Sequence, residues 1–389
     1  MSLRRTLQAL AAATSVCLIA ACGGGGDSVS EGAPGTPPAG SATGTRLVVV
    51  GDSLADVGTF GFKATVQSAA NPAAGYPVYP ELVARAIGAG NPCNFFSSTD
   101  EGDTFTTHAG CTNFAVASAA IVNPVTRGGD DVPFSIQDQF ERALAANGGN
   151  WRANDLIVVD AGANDAAGLA DAYLDAQGGN AADQAVFVAL LGQQLNGSTI
   201  NDALAQSNGG SVAANLYMQQ LARTFWNALK ANTLDRGATR VAIVNVPDLT
   251  LTPRFRQGLT AGVSASQGPA AAAAFETAVR SWIVTFNTEL ARLVAGEPRV
   301  VVVDYFSDFT AQNTTPAAFG LTAVSEASCP LAVDFPQCTD AALDAAPPAG
   351  LAPGWWRTWL YSDRFHPSPR GHELLAAGVV RAVQGAGWR

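Results

Sequence analysis

Four short apolar runs constrain this chain more than any other feature. Residues 47–50, 155–160, 240–246 and 299–304 are built from Val, Ile, Leu and Ala almost without interruption. A strand with one wet face alternates apolar and polar residues, whereas a continuous run must be covered on both faces. Helical patterns fall between the runs, at 79–89, 136–146, 216–231, 269–294 and 369–384. In the strongest, Phe275, Val279, Trp282, Ile283, Phe286, Leu290 and Leu293 recur at helical spacing. Strands alternating with helices imply one α/β domain with a parallel sheet over residues 46–389. Residues 166–210 read as weak helices broken at Gly178-Gly179 and Gly209-Gly210, and residues 305–362 read as loop-rich.

Each strand run ends in polar residues: Asp52-Ser53, Asn164-Asp165, Asn245 with Asp248, and Asp304. Open α/β sheets bind ligands just beyond the carboxyl ends of their strands. Solvated strand ends look the same, so the pattern locates a site without naming its chemistry. The net charge of −10 lacks the basic footprint that nucleic acid requires.

The first 45 residues stand apart. Arg4 and Arg5 precede an apolar run too short to span a bilayer, which ends in Leu18-Ile19-Ala20-Ala21-Cys22. This resembles a bacterial lipobox, implying a lipoprotein signal peptide over 1–21 and lipid on Cys22. An ordinary secretory peptide is the alternative. Residues 22–45 are rich in Gly, Pro and Ser and lack any apolar pattern, as in a disordered tether. The protein is therefore expected outside the cytoplasm, either anchored to a bacterial membrane (the outer one) through Cys22 or secreted.

Cysteine usage agrees with export. Beyond Cys17 and Cys22, four cysteines remain, which allow three pairings. Local pairing, Cys93 with Cys111 and Cys329 with Cys338, closes one loop each and is the arrangement expected. No cysteine pair has metal-ligand spacing and there are only three histidines, so no metal or other cofactor is expected.

Ser53 follows the first strand directly. It would act as a nucleophile if a base, an orienting acid and oxyanion donors exist elsewhere, and as a helix cap otherwise. His108 lies in a polar loop and His372 at the start of the last helix. His366 sits in Asp363-Arg364-Phe365-His366-Pro367, where one turn can set the Asp363 carboxylate against the imidazole. Asn164, after the second strand, is a side-chain amide placed to stabilise an oxyanion, and the Ser53 N–H is a second donor.

Gly51-Asp52-Ser53-Leu54, Gly162-Ala163-Asn164-Asp165 and Asp363-x-x-His366, in this order and widely spaced, resemble the SGNH (GDSL) hydrolase family. Asp56-Val57-Gly58, Asn113-Phe114-Ala115, Asn245-Val246-Pro247-Asp248-Leu249 and Phe286-Asn287 extend the resemblance over residues 46–384, toward its lipases, phospholipases and acyltransferases. It implies a three-layer α/β/α sandwich of flavodoxin-like topology and a metal-independent serine esterase or lipase working through an acyl-enzyme. Ser53 would be the nucleophile, His366 the base and Asp363 its partner. The Ser53 N–H, Asn164 and a backbone N–H from the second block would receive the oxyanion. That block usually contains a glycine, and Asn113-Phe114-Ala115-Val116-Ala117-Ser118-Ala119 has none. Ala117 is assigned to it, with Ser118 as the neighbouring choice. The substrate would be a small-molecule or lipid ester. Acyl transfer to an alcohol, or non-catalytic binding of a lipid or glycan, are the competing readings.

Overall fold

The computed structural model describes residues 44–388. The expected signal peptide, the lipidated Cys22 and nearly all of the tether lie outside the described residues. The central sheet is parallel, and its strands are β1 (Arg46–Val50), β2 (Asp155–Asp160), β3 (Val241–Val244) and β4 (Val300–Val303), in that spatial order. Residues 112–116 run along the free edge of β1. Val49 N–H donates to Thr112 O, Phe114 N–H to Val49 O and Val116 N–H to Gly51 O. With this extended segment as second in the chain, the order becomes 2-1-3-4-5, the flavodoxin-like arrangement.

Alternate residues of each strand enter two separate cores. Val48, Val50, Ile157, Val159, Val241 and Ile243 face one cluster; Leu47, Val49, Leu156, Val158, Ala242 and Val244 face the other. The first is covered by α2 (Ile136–Ala146), α3 (Ala163–Gln177), α6 (Gly209–Asn232) and α8 (Pro269–Val294). The second is covered by α1 (Tyr79–Ala86), α9 (Tyr305–Thr314) and α11 (Pro369–Gly385). The result is the three-layer α/β/α sandwich. Two smaller helices, α4 (Ala181–Leu191) and α5 (Gly197–Leu204), extend from α3, α7 (Ala261–Gln267) precedes α8, and α10 (Asp340–Ala345) lies in the last insertion. No helix among the described residues is long and apolar enough to cross a membrane.

Two expectations need correction. Helix α6 begins at Gly209 and not near Leu216. The Gly209-Gly210 pair starts the helix instead of breaking it, because Asn208 before it takes the left-handed turn at φ 57°. The stretch after β4 is not all loop. Asp304 caps α9 by accepting the Ser307 N–H at 3.1 Å, and α9 lays Tyr305 and Phe309 in the core. Both disulfides form locally, Cys93–Cys111 and Cys329–Cys338.

Candidate active site

Ser53 sits where β1 ends, and three contacts fix the turn beneath it. Gly51 N–H donates to Gln139 Oε1 of α2 at 2.9 Å. Asp52 N–H donates to Asp160 Oδ2 at 3.2 Å, and Asp52 Oδ1 accepts the Leu54 N–H at 3.0 Å. The Tyr79 hydroxyl of α1 donates to Asp160 Oδ1 at 2.6 Å. Asp52 and Asp160 are both almost fully buried. Burial, and then the Asp160 charge, push the Asp52 carboxyl well above the usual carboxylate range. Burial raises Asp160 too, against hydrogen bonds from Tyr79 and Asp52. Two buried carboxyls this close each disfavour the other's charge. A Cβ at position 51 would overlap the Asp160 carboxyl. Glycine is required there by close approach and not by a special φ.

The loop after β6 (Trp359–Tyr361, which pairs with β5, Ala323–Ala327) brings His366 over Ser53. His366 Nε2 lies 2.8 Å from Ser53 Oγ, and His366 Nδ1 lies 2.8 Å from Asp363 Oδ2. Asp363 Oδ1 accepts the backbone N–H groups of Phe365 at 2.8 Å and His366 at 2.5 Å. Burial works to raise the Asp363 carboxyl. The charge that His366 carries when protonated, with the hydrogen bonds from His366 and Phe365, overcomes this and holds it below its ordinary value. Phe335, on the turn closed by Cys329–Cys338, packs edge-on against the imidazole at 5.5 Å. The other histidines are placed elsewhere. His108 is exposed and bonded to Ser97 Oγ at 2.7 Å. His372 is fully buried, accepts the Tyr79 N–H on Nδ1, and is pushed down to about 3 by burial.

The segment 112–116, hydrogen-bonded to β1, delivers the next peptides beside the end of that strand. The Ala117 N–H is donated to Asp56 Oδ2 at 2.8 Å. A backbone amide carries one hydrogen, so Ala117 is taken up by that contact. The Ser118 N–H has no partner among the described residues. Ser118 also stands at φ 68°, a left-handed backbone usually left to glycine. Asn164 Nδ2 donates one hydrogen to Ala119 O at 2.8 Å, which orients the amide and leaves its second hydrogen unused. Asn164 is presented by the first turn of α3. Gly162, at φ 99°, makes the sharp step from β2 into that helix, where a Cβ would also crowd Val246. The Ser53 N–H likewise has no partner among the described residues. Three N–H hydrogens without protein acceptors among the described residues, on Ser53, Ser118 and Asn164 Nδ2, are therefore carried by segments at the carboxyl end of the sheet.

Sequence reasoning did not foresee the roles of Asp56, Asp160, Tyr79 and Gln139. Asp56 adjoins the serine block, but nothing in the sequence tied its carboxylate to Ala117. A buried acid ending an apolar strand, as Asp160 does, was the available signal for the second contact.

A family model described as GDSL-like Lipase/Acylhydrolase matches residues 47–379. No curated protein matches the chain. Among solved structures, phospholipase A1 from Streptomyces albidoflavus NA297 is similar at 13% identity and a TM-score of 0.38, over 88% of this chain and 98% of that one. The chain belongs to the GDSL-like lipase/acylhydrolase family and is a carboxylic ester hydrolase.

Proposed function

We propose that this hydrolase works through an acyl-enzyme on Ser53, with His366 as general base and Asp363 as its orienting acid. The observation that carries the reading is the continuous relay from Ser53 Oγ through the imidazole to Asp363, two contacts of 2.8 Å each. With Asp363 accepting the Nδ1 hydrogen, Nε2 is free to take the Ser53 proton as Oγ attacks the ester carbonyl. Negative charge then develops on the carbonyl oxygen. The N–H groups of Ser53 and Ser118 and the free hydrogen of Asn164 Nδ2 receive it. We assign the second-block donor to Ser118 in place of Ala117, because the Ala117 amide already serves Asp56. Collapse of the intermediate expels the alcohol, protonated by His366. Water, deprotonated by the same imidazole, releases the acid and restores Ser53.

Two disulfides support a place outside the cytoplasm. Anchoring through Cys22 belongs to this proposal on the strength of the lipobox resemblance.

The test is hydrolysis of p-nitrophenyl butyrate together with labelling by a fluorophosphonate. Ser53→Ala abolishes both, and the label maps to the Ser53 peptide by mass spectrometry. Undiminished hydrolysis by Ser53→Ala refutes the assignment.

A further inference from the structure

Beside Ser53 and His366 a narrow slot opens across the carboxyl ends of the sheet strands. Its other walls include Leu54, Ala163, Pro247, Leu249, Tyr305 and Phe309. The lining is mostly apolar, so it suits a hydrocarbon group better than a sugar or a charged headgroup. Its cavity volume is about 20 Å³ for the centre of a water molecule, room for roughly one or two waters. A methyl or methylene group is of similar size.

The walls are pinned. Phe309 is buried and packs edge-on against Tyr305 at 5.4 Å and Tyr361 at 6.0 Å. The Tyr361 hydroxyl is held in turn by Asn313 Oδ1 at 3.1 Å and Leu251 O at 3.3 Å. On the other side, Leu249 begins a tight turn closed by Asp248, which accepts the Thr250 hydroxyl at 2.6 Å and pairs with Arg280. Neither wall can retreat without breaking these contacts, and cores at native density resist added methylenes.

We propose that this slot is the acyl pocket, that it selects short straight acyl groups over long ones, and that Phe309 is the residue limiting their length. The proposal rests on the Ser53 acyl-enzyme reading. With the carbonyl oxygen toward Ser118 and Asn164, the acyl tail enters past Ala163 and Leu249 and stops against the Tyr305–Phe309 wall. The alcohol leaves on the open side of the slot. Acetyl and butyryl esters are then substrates, and long-chain glycerophospholipids are poor ones.

The experiment compares kcat/KM on p-nitrophenyl acetate, butyrate and octanoate for the wild type, Phe309→Leu and Phe309→Ala, with Ser53→Ala as the blank. The wild type falls by roughly 10-fold or more from butyrate to octanoate, the discrimination a single misfitting methylene can give. Both Phe309 variants raise the octanoate-to-butyrate ratio by about 10-fold or more. Should Phe309→Ala fail to fold, Phe309→Leu and the wild-type profile still decide. Ser53-dependent turnover that favours octanoate in the wild type overturns the pocket and leaves the nucleophile standing. Folded Phe309 variants with an unchanged ratio overturn the role of Phe309. If no ester shows Ser53-dependent turnover, the acyl-enzyme reading falls and the pocket falls with it.

Discussion

Asp56→Asn is the substitution that isolates the geometry of the second oxyanion block. Asp56 Oδ1 accepts the N–H groups of Gly58 and Thr59, each at 2.8 Å, and Oδ2 accepts the Ala117 N–H at 2.8 Å. The carboxyl is almost fully buried. Burial raises its pKa, against those three backbone hydrogen bonds. An asparagine of the same shape keeps one acceptor oxygen. The less costly orientation points that oxygen at the two donors and turns Nδ2 toward Ala117. Two N–H groups then face each other across a contact that now holds one hydrogen. The Ala117–Ser118 peptide must move, and the Ser118 donor moves with it. Losing one preorganised oxyanion donor costs about 10²–10³ in kcat. One buried N–H left without an acceptor costs about 1–3 kcal/mol of stability. The expected result is a fall in kcat of about 10²-fold on p-nitrophenyl butyrate with KM little changed, since substrate binding is untouched. Urea unfolding should show the variant folded and less stable by the amount above. Asp56→Ala, which strips all three donors of their acceptor, should lose more stability than Asp56→Asn. A folded Asp56→Asn with near-wild-type kcat would falsify the claim that Asp56 positions the Ser118 amide.

Other predictions test neighbouring links. Ser118→Gly should relieve the left-handed strain, gain about 1 kcal/mol and keep wild-type kcat, whereas replacing the Ala117–Ser118 backbone amide by an ester removes the N–H without forcing φ and should lower kcat by at least about 10²-fold; equal activity of the two rules out Ser118 as a donor. Asp363→Asn should leave the fold intact while kcat drops by roughly 10⁴-fold, since the wrong tautomer faces Ser53, and the pH–rate profile should change with it. Asp165, which accepts the Ile121 N–H at 2.9 Å and the Val122 N–H at 3.3 Å, is raised by burial, against those bonds, from 3.8 to about 6. A carboxyl raised on folding stabilises the protein below its unfolded pKa, and that stability is lost as pH rises through the folded value. About 3 kcal/mol should therefore disappear between roughly pH 4 and pH 6, and Asp165→Asn should lack this component in urea titrations run across that range. Parallel stability–pH curves for the two proteins would sink this assignment.

What the sequence revealed and what it hid follow one physical division. β2 and α8 were legible to the residue, because an uninterrupted apolar run and a strict helical period leave no other fold for those segments. Ser53, Asn164, Asp363 and His366 were legible as candidates because attack, oxyanion binding and proton transfer each need a particular side chain. The second-block donor was not, because a backbone N–H belongs to every residue. Only φ at Ser118 and the partner of Ala117 separate the two positions, and neither leaves a mark in residue type. Helix α9 was missed for a related reason. Of its ten residues only Tyr305, Phe309, Gln312 and Asn313 are buried, too few apolar positions to form a stripe. Its start signal, Asp304 three residues before Ser307, reads in the sequence equally as a strand end.

The strand-end polar residues of the sheet divide into two groups. In the sequence, Asp52, Asn245, Asp248 and Asp304 end strand runs just as Ser53 and Asn164 do. In the fold most of their hydrogen-bonding capacity is turned inward. Asp160 holds Tyr79 and Asp52, Asn245 holds Asp304 and the Phe306 N–H, and Asp248 holds Thr250 and Arg280. Burying such groups costs stability unless every one is paired, so they persist where directional bonds fix loop geometry better than apolar contact can. A rigid carboxyl edge is what a preorganised oxyanion site demands, since donors that must reorganise during the reaction lose their advantage. Ser53 and Asn164 differ from their neighbours by retaining unused hydrogens on that edge. Under the proposed mechanism, unused hydrogen-bonding capacity beside a locked frame, more than polarity at a strand end, separates the groups assigned to the reaction from the scaffold. By that criterion Ser118 joins them and Ala117 does not.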